Sequence, residues 1–86
     1  MISSTTSSFW RAYRALPTEI RAKARNAYRL WAHYSGHPSL RFEPNGDYWL
    51  LRIDRGWRAL GRQEGDTIHR FWIGPHDEYM RFIRGR

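Results

Sequence analysis

The amino-acid sequence predicts an α+β domain. In it, an N-terminal helical hairpin packs on one face of a four-stranded antiparallel meander sheet, and a short C-terminal helix follows. Two observations carry this prediction. The hydrophobic period changes from helical to alternating near Ser39, and three evenly spaced turn signals divide the alternating part. A chain of 86 residues is expected to form one domain, residues 1–86, because it is too short for two independent cores.

Two amphipathic helices are predicted before Gly36. Ser8 is a suitable N-cap for the first helix, whose apolar residues recur at i, i+3, i+4 and i+7: Phe9, Ala12, Tyr13 and Leu16. The second helix begins near Pro17 and ends at Gly36, and its apolar stripe is Ile20, Ala24, Ala27, Tyr28 and Trp31. The first eight residues are rich in Ser and Thr and are expected to be frayed or to form a short edge strand.

The sheet is predicted from Ser39 onward. Its first strand carries Leu40 and Phe42 on one side, and Asn45-Gly46 is a strong hairpin signal because both residues accept positive φ. Turns at Arg55-Gly56 and Gly65-Asp66 separate the three strands that follow, around residues 48–53, 57–63 and 67–73. Gly74-Pro75 ends the sheet, and acidic residues then occupy the first turn of a terminal helix, as its dipole favours.

Positive charge is the main compositional feature. Fifteen Lys and Arg against eight Asp and Glu give a formal net charge of +7, which predicts a polyanionic partner, RNA or DNA first and an acidic protein second. A basic surface without a partner is the alternative. There is no cysteine, so disulfides and thiolate metal sites are excluded. A signal-peptide pattern and an apolar run of membrane-spanning length are also missing, so we expect a cytoplasmic protein.

Basic residues fall into two groups along the predicted elements. One is a stripe on the second helix, Arg21, Arg25 and Arg29, which is either a solvated face or a phosphate contact. The other belongs to the sheet, on the face turned away from the hairpin: Arg41, Arg52, Arg58, Arg62 and Arg70. Aromatic planes for base stacking accompany it at Tyr48, Trp57 and Trp72. The predicted RNA-binding residues are Arg41, Arg52, Arg62 and Trp57, and an ordinary exposed sheet face is the alternative.

The segment "GPHDEY" contains the residues best suited to proton transfer. His76 exchanges protons near neutral pH, and Tyr79 follows on the same side of a helical turn. A capping or surface role for His76 is the alternative. His33 and His37 have a spacing that suits metal binding, but Gly36 interrupts the helix and no third ligand is evident. We therefore predict no metal and no cofactor.

The chain resembles a known family in the ordered patterns "F…R.LP.EI…A..A…W", "HPSLRFE", "YWLLRI", "GWRALGR" and "GDTI..FWIG.H.EY", and the resemblance covers Phe9 to about Ile83. It is similar to the RelE/ParE superfamily of bacterial type II toxins. The resemblance implies a helical hairpin on a small antiparallel sheet, followed by a terminal helix. It also implies one of two activities, since RelE-like toxins cut mRNA in the ribosomal A site and ParE-like toxins poison DNA gyrase.

The resemblance also implies roles for particular residues. Arg58 of "GWR" matches the arginine of the cutting site, and His76 and Tyr79 match its C-terminal positions, for proton transfer and for orientation or base stacking. Trp49 and Leu51 stand where some members carry lysines, and Glu43 is the nearest candidate for a carboxylate base. The predicted function is a ribosome-dependent mRNA endonuclease whose partners are a cognate antitoxin, the ribosome and mRNA. The alternatives are a gyrase inhibitor and a non-toxic RNA-binding module.

Overall fold

The computed structural model describes residues 2–84, which form three helices and five strands in a single sheet. In chain order the elements are β1 (Ile2–Thr5), α1 (Ser7–Arg14), α2 (Thr18–His33), β2 (Glu43–Asn45), β3 (Tyr48–Asp54), β4 (Trp57–Glu64), β5 (Thr67–Pro75) and α3 (His76–Arg84). The strand order is β1-β5-β4-β3-β2. The α+β class, the helical hairpin and the terminal helix agree with the sequence prediction. Among the described residues, no helix combines the length and apolar character needed to cross a membrane.

The predicted strand count was wrong because the N-terminal segment joins the sheet. β1 pairs in parallel with β5, from Ile2 opposite Thr67 to Thr5 opposite Arg70. The amide of Ile2 donates to the carbonyl of Asp66 at 2.8 Å. β5 would otherwise expose a row of unpaired backbone groups along a sheet edge. The sheet therefore has five strands and mixed direction, and the edge-strand alternative for the first residues is correct for Ile2–Thr5.

Helix α1 begins two residues earlier than a Ser8 cap allows. The amide of Phe9 donates to Oγ1 of Thr6 at 3.1 Å, so Thr6 is the N-cap. Ser8 instead donates through Oγ to the carbonyl of Phe71 at 2.9 Å. Its hydroxyl thus fastens α1 to β5, and the predicted cap was wrong because the chain turns into the helix directly after β1.

The segment after α2 is not a strand from Ser39 onward. Pro38–Leu40 forms a 3-10 turn, in which Nδ1 of His37 accepts the amide of Ser39 at 3.2 Å. Arg41 follows with a left-handed φ of 46°, which breaks the extended backbone and delays β2 to Glu43–Asn45. Asn45 pairs with Tyr48, so the central residues of this turn are one position later than predicted, at 46 and 47.

Each face of the sheet carries its own core. On the hairpin side, α1 and α2 cover Leu51, Ala59, Ile68 and Ile73. On the other side, α3 packs over Leu50 and Leu60. Strand β3 alternates between the two cores as its sequence predicts. The expectation of an open second face was wrong, because α3 lies across it and buries its centre.

A bulge in β5 changes which residues reach each face. Leu60 pairs with Trp72 but Gly61 pairs with Arg70, so Phe71 has no partner in the register. Phe71 and Trp72 consequently both pack on the α3 side. Arg70 lies on the hairpin side, with Cζ 4.0 Å from the centroid of the Tyr28 ring. The grouping of Arg70 with the arginines of the opposite face was therefore wrong.

Candidate functional site

Three arginines meet where β3 ends and β4 begins. Arg52 and Arg58 are direct partners across the antiparallel strands, and Arg41 approaches them from the turn before β2. Burial, followed by the charges of Arg52 and Arg41, lowers the pKa of Arg58 below its ordinary value. Like charges placed directly opposite each other destabilise a sheet. Residues that lower the stability of the sheet in this way are typical of a functional site. We call Arg41, Arg52 and Arg58 the arginine cluster.

The side chain of Arg58 is held by the turn that precedes it. Its Nη1 donates to the backbone carbonyls of Asp54 at 2.6 Å, Arg55 at 3.2 Å and Trp57 at 2.9 Å. These three bonds use one nitrogen of the guanidinium. The remaining donors of the planar fork, on Nη2 and Nε, are available for a bidentate contact with phosphate. Arg58 is thus oriented before any ligand arrives.

His76 lies beside Arg58 because β5 passes directly into α3. The backbone amide of His76 donates to the carbonyl of Gly56 at 2.8 Å, which fastens the start of α3 to the turn between β3 and β4. An open cleft of about 330 Å³ results, and we call it the His76 cleft. It is lined by Arg55, Gly56, Arg58, Pro75, His76 and Asp77. Its size falls within the range of small-molecule sites and suits a nucleotide-sized group.

Gly74 determines how closely this junction packs. A Cβ atom at Gly74 would lie 2.5 Å from Cζ2 of Trp72, which is closer than side-chain carbons approach one another. The indole of Trp72 belongs to the core under α3. Only glycine therefore allows β5 to pass under this ring two residues before His76.

Tyr79 is buried beneath the site. It is 4% exposed and packs with Leu50 and Leu60, and its ring centroid is 5.7 Å from that of His76. Its hydroxyl accepts a hydrogen bond from Nδ2 of Asn45. A buried ring offers no open plane for a base, so orientation is the predicted role of Tyr79 that this placement favours.

Two predicted site residues lie away from this group. Arg62 is further along β4, with Cζ 5.6 Å from the centroid of the Tyr48 ring. Tyr48 in turn contacts Phe82, near the C-terminal end of α3. Trp57 packs against the core on the hairpin side. The structure brings Arg58 to His76 and His76 to Tyr79. Arg52 and Arg41 are close enough to act on Arg58, and neither Arg62 nor Trp57 lines the His76 cleft.

Sequence reasoning missed three residues that the fold adds to the site. Asp77 and Arg55 line the His76 cleft, whereas Asp77 had been considered only for the helix dipole and Arg55 only for a turn. Asn45 had been considered only as a turn residue. The adjacency of His76 and Asp77 in "GPHDEY" was the available signal. Glu43, the carboxylate weighed as a base, is exposed on the edge strand β2 and does not line the cleft.

The candidate metal ligands do not assemble. Within residues 2–84, no group of three or more His, Cys, Asp or Glu side chains is arranged to hold a metal ion. His37 uses Nδ1 as an acceptor for the hydroxyl of Ser39, with the two atoms 2.8 Å apart, as well as for its amide. His37 therefore has a local structural role at the 3-10 turn.

A second surface lies between the two helices of the hairpin. Trp10 is 40% exposed there, and Nη1 of Arg25 donates to the hydroxyl of Tyr13 at 2.8 Å. We call this surface the hairpin groove, and it is lined by Phe9, Trp10, Tyr13, Arg25, Tyr28, Arg29 and Arg70. None of these described lining residues is acidic. The stripe predicted on α2 is thus divided, because Arg21 instead donates to Thr18 at 3.0 Å.

Solved structures with the same fold are toxins and toxin–antitoxin complexes. A RelB–RelE antitoxin–toxin complex from Methanococcus jannaschii aligns with a TM-score of 0.73 and 13% identity, over 92% of this chain and 96% of that chain. A YoeB/ParE toxin from Agrobacterium tumefaciens aligns at 0.66 and 20% identity, over 88% and 99%. The isolated RelE toxin of E. coli aligns at 0.62 and 10% identity, over 95% and 97%. At these identities the likeness establishes the fold.

The family follows from the sequence itself. No curated protein sequence matches the chain significantly, but the model of the ParE-like toxin domain matches residues 18–81. This match runs from the first turn of α2 to the middle of α3 and includes every residue of the arginine cluster and the His76 cleft. The chain therefore belongs to the ParE-like toxin domain family, within the RelE/ParE superfamily of toxin–antitoxin toxins.

Proposed function

We propose that this protein is a toxin that cuts mRNA on the ribosome and so stops translation. One observation carries the proposal: Arg58, whose pKa is lowered by burial and by the charges of Arg52 and Arg41, lines an open cleft together with His76. RNA provides both the negative charge that clustered arginines attract and the bond that a positioned histidine helps to break. Since ribosomes are the target, the site of action is the cytoplasm.

The proposed reaction needs no external reactant. The 2′-oxygen of a ribose loses its proton and forms a bond to the adjacent phosphorus, and the bond between phosphorus and the 5′-oxygen breaks. The 5′-oxygen takes up a proton, which leaves a 2′,3′-cyclic phosphate and a 5′-hydroxyl end. Negative charge develops on the phosphorane between these events. Cationic groups that are already in place lower the barrier because they stabilise this charge.

Arg58 is the residue we assign to the phosphorane. Its Nη1 is committed to the turn carbonyls, at 2.6 Å from that of Asp54, so the side chain needs no reorganisation when substrate binds. The available edge of its guanidinium can donate to two phosphate oxygens. Loss of one preorganised contact of this kind lowers the rate about 10²–10³-fold in other enzymes.

His76 is the residue we assign to proton transfer. It lines the same cleft as Arg58, and histidine gives or takes a proton near neutral pH. A positioned acid or base contributes about 10²–10⁴-fold. Asp77 lies in that cleft as well and is our candidate for the second proton transfer. Arg41 and Arg52 would hold the flanking phosphates, whereas Arg62 and Trp57 lie outside this step.

We further propose a cognate antitoxin as the protein partner. Structural neighbours such as the Methanococcus jannaschii RelB–RelE complex were solved with an antitoxin bound. The hairpin groove combines an exposed Trp10 with Arg25 and Arg29, and no acidic residue lines it. An acidic amphipathic segment complements both features, with apolar residues against the indole and carboxylates against the guanidinium groups.

Inhibition of DNA gyrase is the second candidate. The matching family model is described as ParE-like, and ParE-like toxins are the gyrase-poisoning branch of the superfamily. A gyrase inhibitor, however, needs neither a histidine nor a preorganised arginine at an open cleft. The arrangement of Arg58 and His76 therefore favours RNA cleavage.

One experiment separates these functions. The purified protein is added to a cell-free translation reaction, mRNA 5′ ends are mapped, and gyrase supercoiling is assayed in parallel. We expect new ends within translated frames, no cuts in the same mRNA without ribosomes, and unchanged supercoiling. Intact mRNA together with inhibited supercoiling would replace the proposal with the gyrase function. Intact mRNA and normal supercoiling would leave only a non-toxic RNA-binding module.

A further inference from the structure

The side chain of Asn45 connects two elements that are far apart in sequence. Asn45 is the last residue of β2 and is paired with Tyr48 across a two-residue turn. Gly46 in that turn has a φ of 64°, a conformation that glycine adopts without strain. Nδ2 of Asn45 donates to the hydroxyl oxygen of Tyr79 in α3. The β2–β3 hairpin, which carries Arg52, is thereby bonded to the helix that carries His76.

The direction of this bond restricts the Tyr79 hydroxyl. A phenol has one hydrogen to donate and accepts through its oxygen. When the amide of Asn45 occupies the accepting side, the hydroxyl hydrogen must point to another group. Tyr79 is 4% exposed, and a buried tyrosine hydroxyl usually has a hydrogen-bond partner. Asn45 thus satisfies the oxygen and limits the rotation of the ring.

The fixed ring lies against the proposed proton-transfer residue. The centroids of Tyr79 and His76 are 5.7 Å apart with an interplanar angle of 51°, and His76 is three positions before Tyr79 on the same side of α3. Tyr79 therefore contacts the residue of the cleft to which we assign proton transfer.

We propose that Asn45 is a positioning residue that holds His76 in the cleft by acting through Tyr79. This role rests on the proposed RNA cleavage. Asn45 touches neither the substrate nor the reacting atoms. It fixes the orientation of the Tyr79 ring that contacts the imidazole of His76. It also connects the hairpin that carries Arg52 to the helix that carries His76. Small displacements of a reacting group are costly, since about 1 Å can lower a rate about 10²-fold.

The test compares four variants with the wild type. Asn45→Ala removes the donor, and Asn45→Asp replaces the donor with an acceptor of the same shape. Tyr79→Phe removes the hydroxyl, and the fourth variant combines Asn45→Ala with Tyr79→Phe. Asn26→Ala, which removes an asparagine that accepts from Arg29 at 3.2 Å on α2, is the matched control.

The kinetic readout is kcat and KM for cleavage on programmed ribosomes. We expect Asn45→Ala and Asn45→Asp each to lower kcat about 10- to 100-fold with KM nearly unchanged. The double variant should be no slower than Tyr79→Phe alone, because both changes break the same connection. Equal kcat in Asn45→Ala, Asn26→Ala and the wild type would overturn the inference and leave the proposed function intact.

A second readout does not depend on cleavage. NMR resonances of the His76 ring should move in Asn45→Ala in the same direction as in Tyr79→Phe, and they should remain in place in Asn26→Ala. A purely structural bond would lower the melting temperature without moving these resonances, and that result would also overturn the inference. If the wild type does not cut mRNA, the proposed function fails, and the NMR comparison still decides whether Asn45 positions His76.

Discussion

Arg58 donates through Nη1 to the backbone carbonyl of Asp54 at 2.6 Å, so the residue assigned to the phosphate also closes the turn between β3 and β4. The same turn accepts the amide of His76 through the carbonyl of Gly56 at 2.8 Å. One short turn therefore orients both the cation and the imidazole of the candidate site. The proposed chemistry and the folding of this turn therefore depend on the same residue, and substitutions must be measured for both.

Replacing Arg58 should affect both activity and stability. We expect Arg58→Ala to slow cleavage about 10²–10³-fold and to lower the free energy of unfolding by about 1–2 kcal/mol, because three carbonyl contacts are lost. From the sequence alone, Arg58 would be expected on an open face, where substitutions change stability by about 0.5 kcal/mol or less. Urea unfolding and cleavage on programmed ribosomes are the measurements, with Arg62→Ala on the same strand as the control. Wild-type cleavage by folded Arg58→Ala would refute the site assignment.

His76→Gln should separate chemistry from binding. The substitution keeps the backbone amide that donates to Gly56, so α3 should start at the same place. We expect the single-turnover rate to fall about 10²–10⁴-fold. Affinity for ribosomes should change little, because it depends on many phosphate contacts. Rapid-quench cleavage and ribosome co-sedimentation measure the two quantities. A parallel loss of both would indicate that His76 serves binding.

Residues of the hairpin groove should contribute to the affinity of this protein for its antitoxin. We expect Trp10→Ala and Arg25→Glu each to weaken the complex with the product of the adjacent gene at least tenfold, and higher salt to reduce the effect of Arg25→Glu. Arg14→Glu makes the same charge change on an exposed residue of α1 outside the groove, and it should have a smaller effect. Calorimetry at two salt concentrations provides the measurement. Equal effects of Arg25→Glu and Arg14→Glu would exclude the groove as the docking surface.

Ionisation of the Tyr28 hydroxyl should lower the free energy of unfolding at alkaline pH. Burial raises the pKa of its hydroxyl from 10.0 to about 12, against the opposing charge of Arg70. As the pH rises, Tyr28 loses this proton in the unfolded chain before it does so in the folded protein. Its contribution to the free energy of unfolding is therefore complete below pH 10 and is lost as the pH rises toward about 12. The loss is at most about 2.7 kcal/mol, from 1.36 kcal/mol per pKa unit. The test measures the free energy of unfolding of the wild type and of Tyr28→Phe across this pH window. Equal dependence on pH in the two proteins would contradict the prediction.

Two glycines near the cleft should respond differently to the same methyl group. Gly74→Ala would place Cβ 2.5 Å from the Trp72 indole, so we expect a loss of about 1–3 kcal/mol from overpacking and a displaced His76. Gly56 has nothing within 4 Å of its Cβ position, and Gly56→Ala should be nearly neutral. Melting temperatures decide between them. A stable Gly74→Ala protein would mean that Trp72 can move away without cost.

The sequence by itself determined the helical hairpin, the alternation within β3 and the terminal helix. The first two rest on periodicity within a short segment, which the backbone geometry of helices and strands imposes directly, and the terminal helix rests on Gly74-Pro75 and the acidic residues that follow it. Family membership was also accessible from the sequence, because the motifs recur in order along nearly the whole chain. Arg58 and His76 were identified as candidates for the same reason.

Only the tertiary structure decided how distant segments meet. The pairing of β1 with β5, the covering of the second sheet face by α3 and the bulge that sends Arg70 to the hairpin side depend on contacts between residues far apart in the chain. Local propensity carries no information about such partners. Asp77 and Asn45 were missed as site residues for that reason. Their roles depend on the neighbours that the fold brings to them: Arg58 for Asp77 and Tyr79 for Asn45.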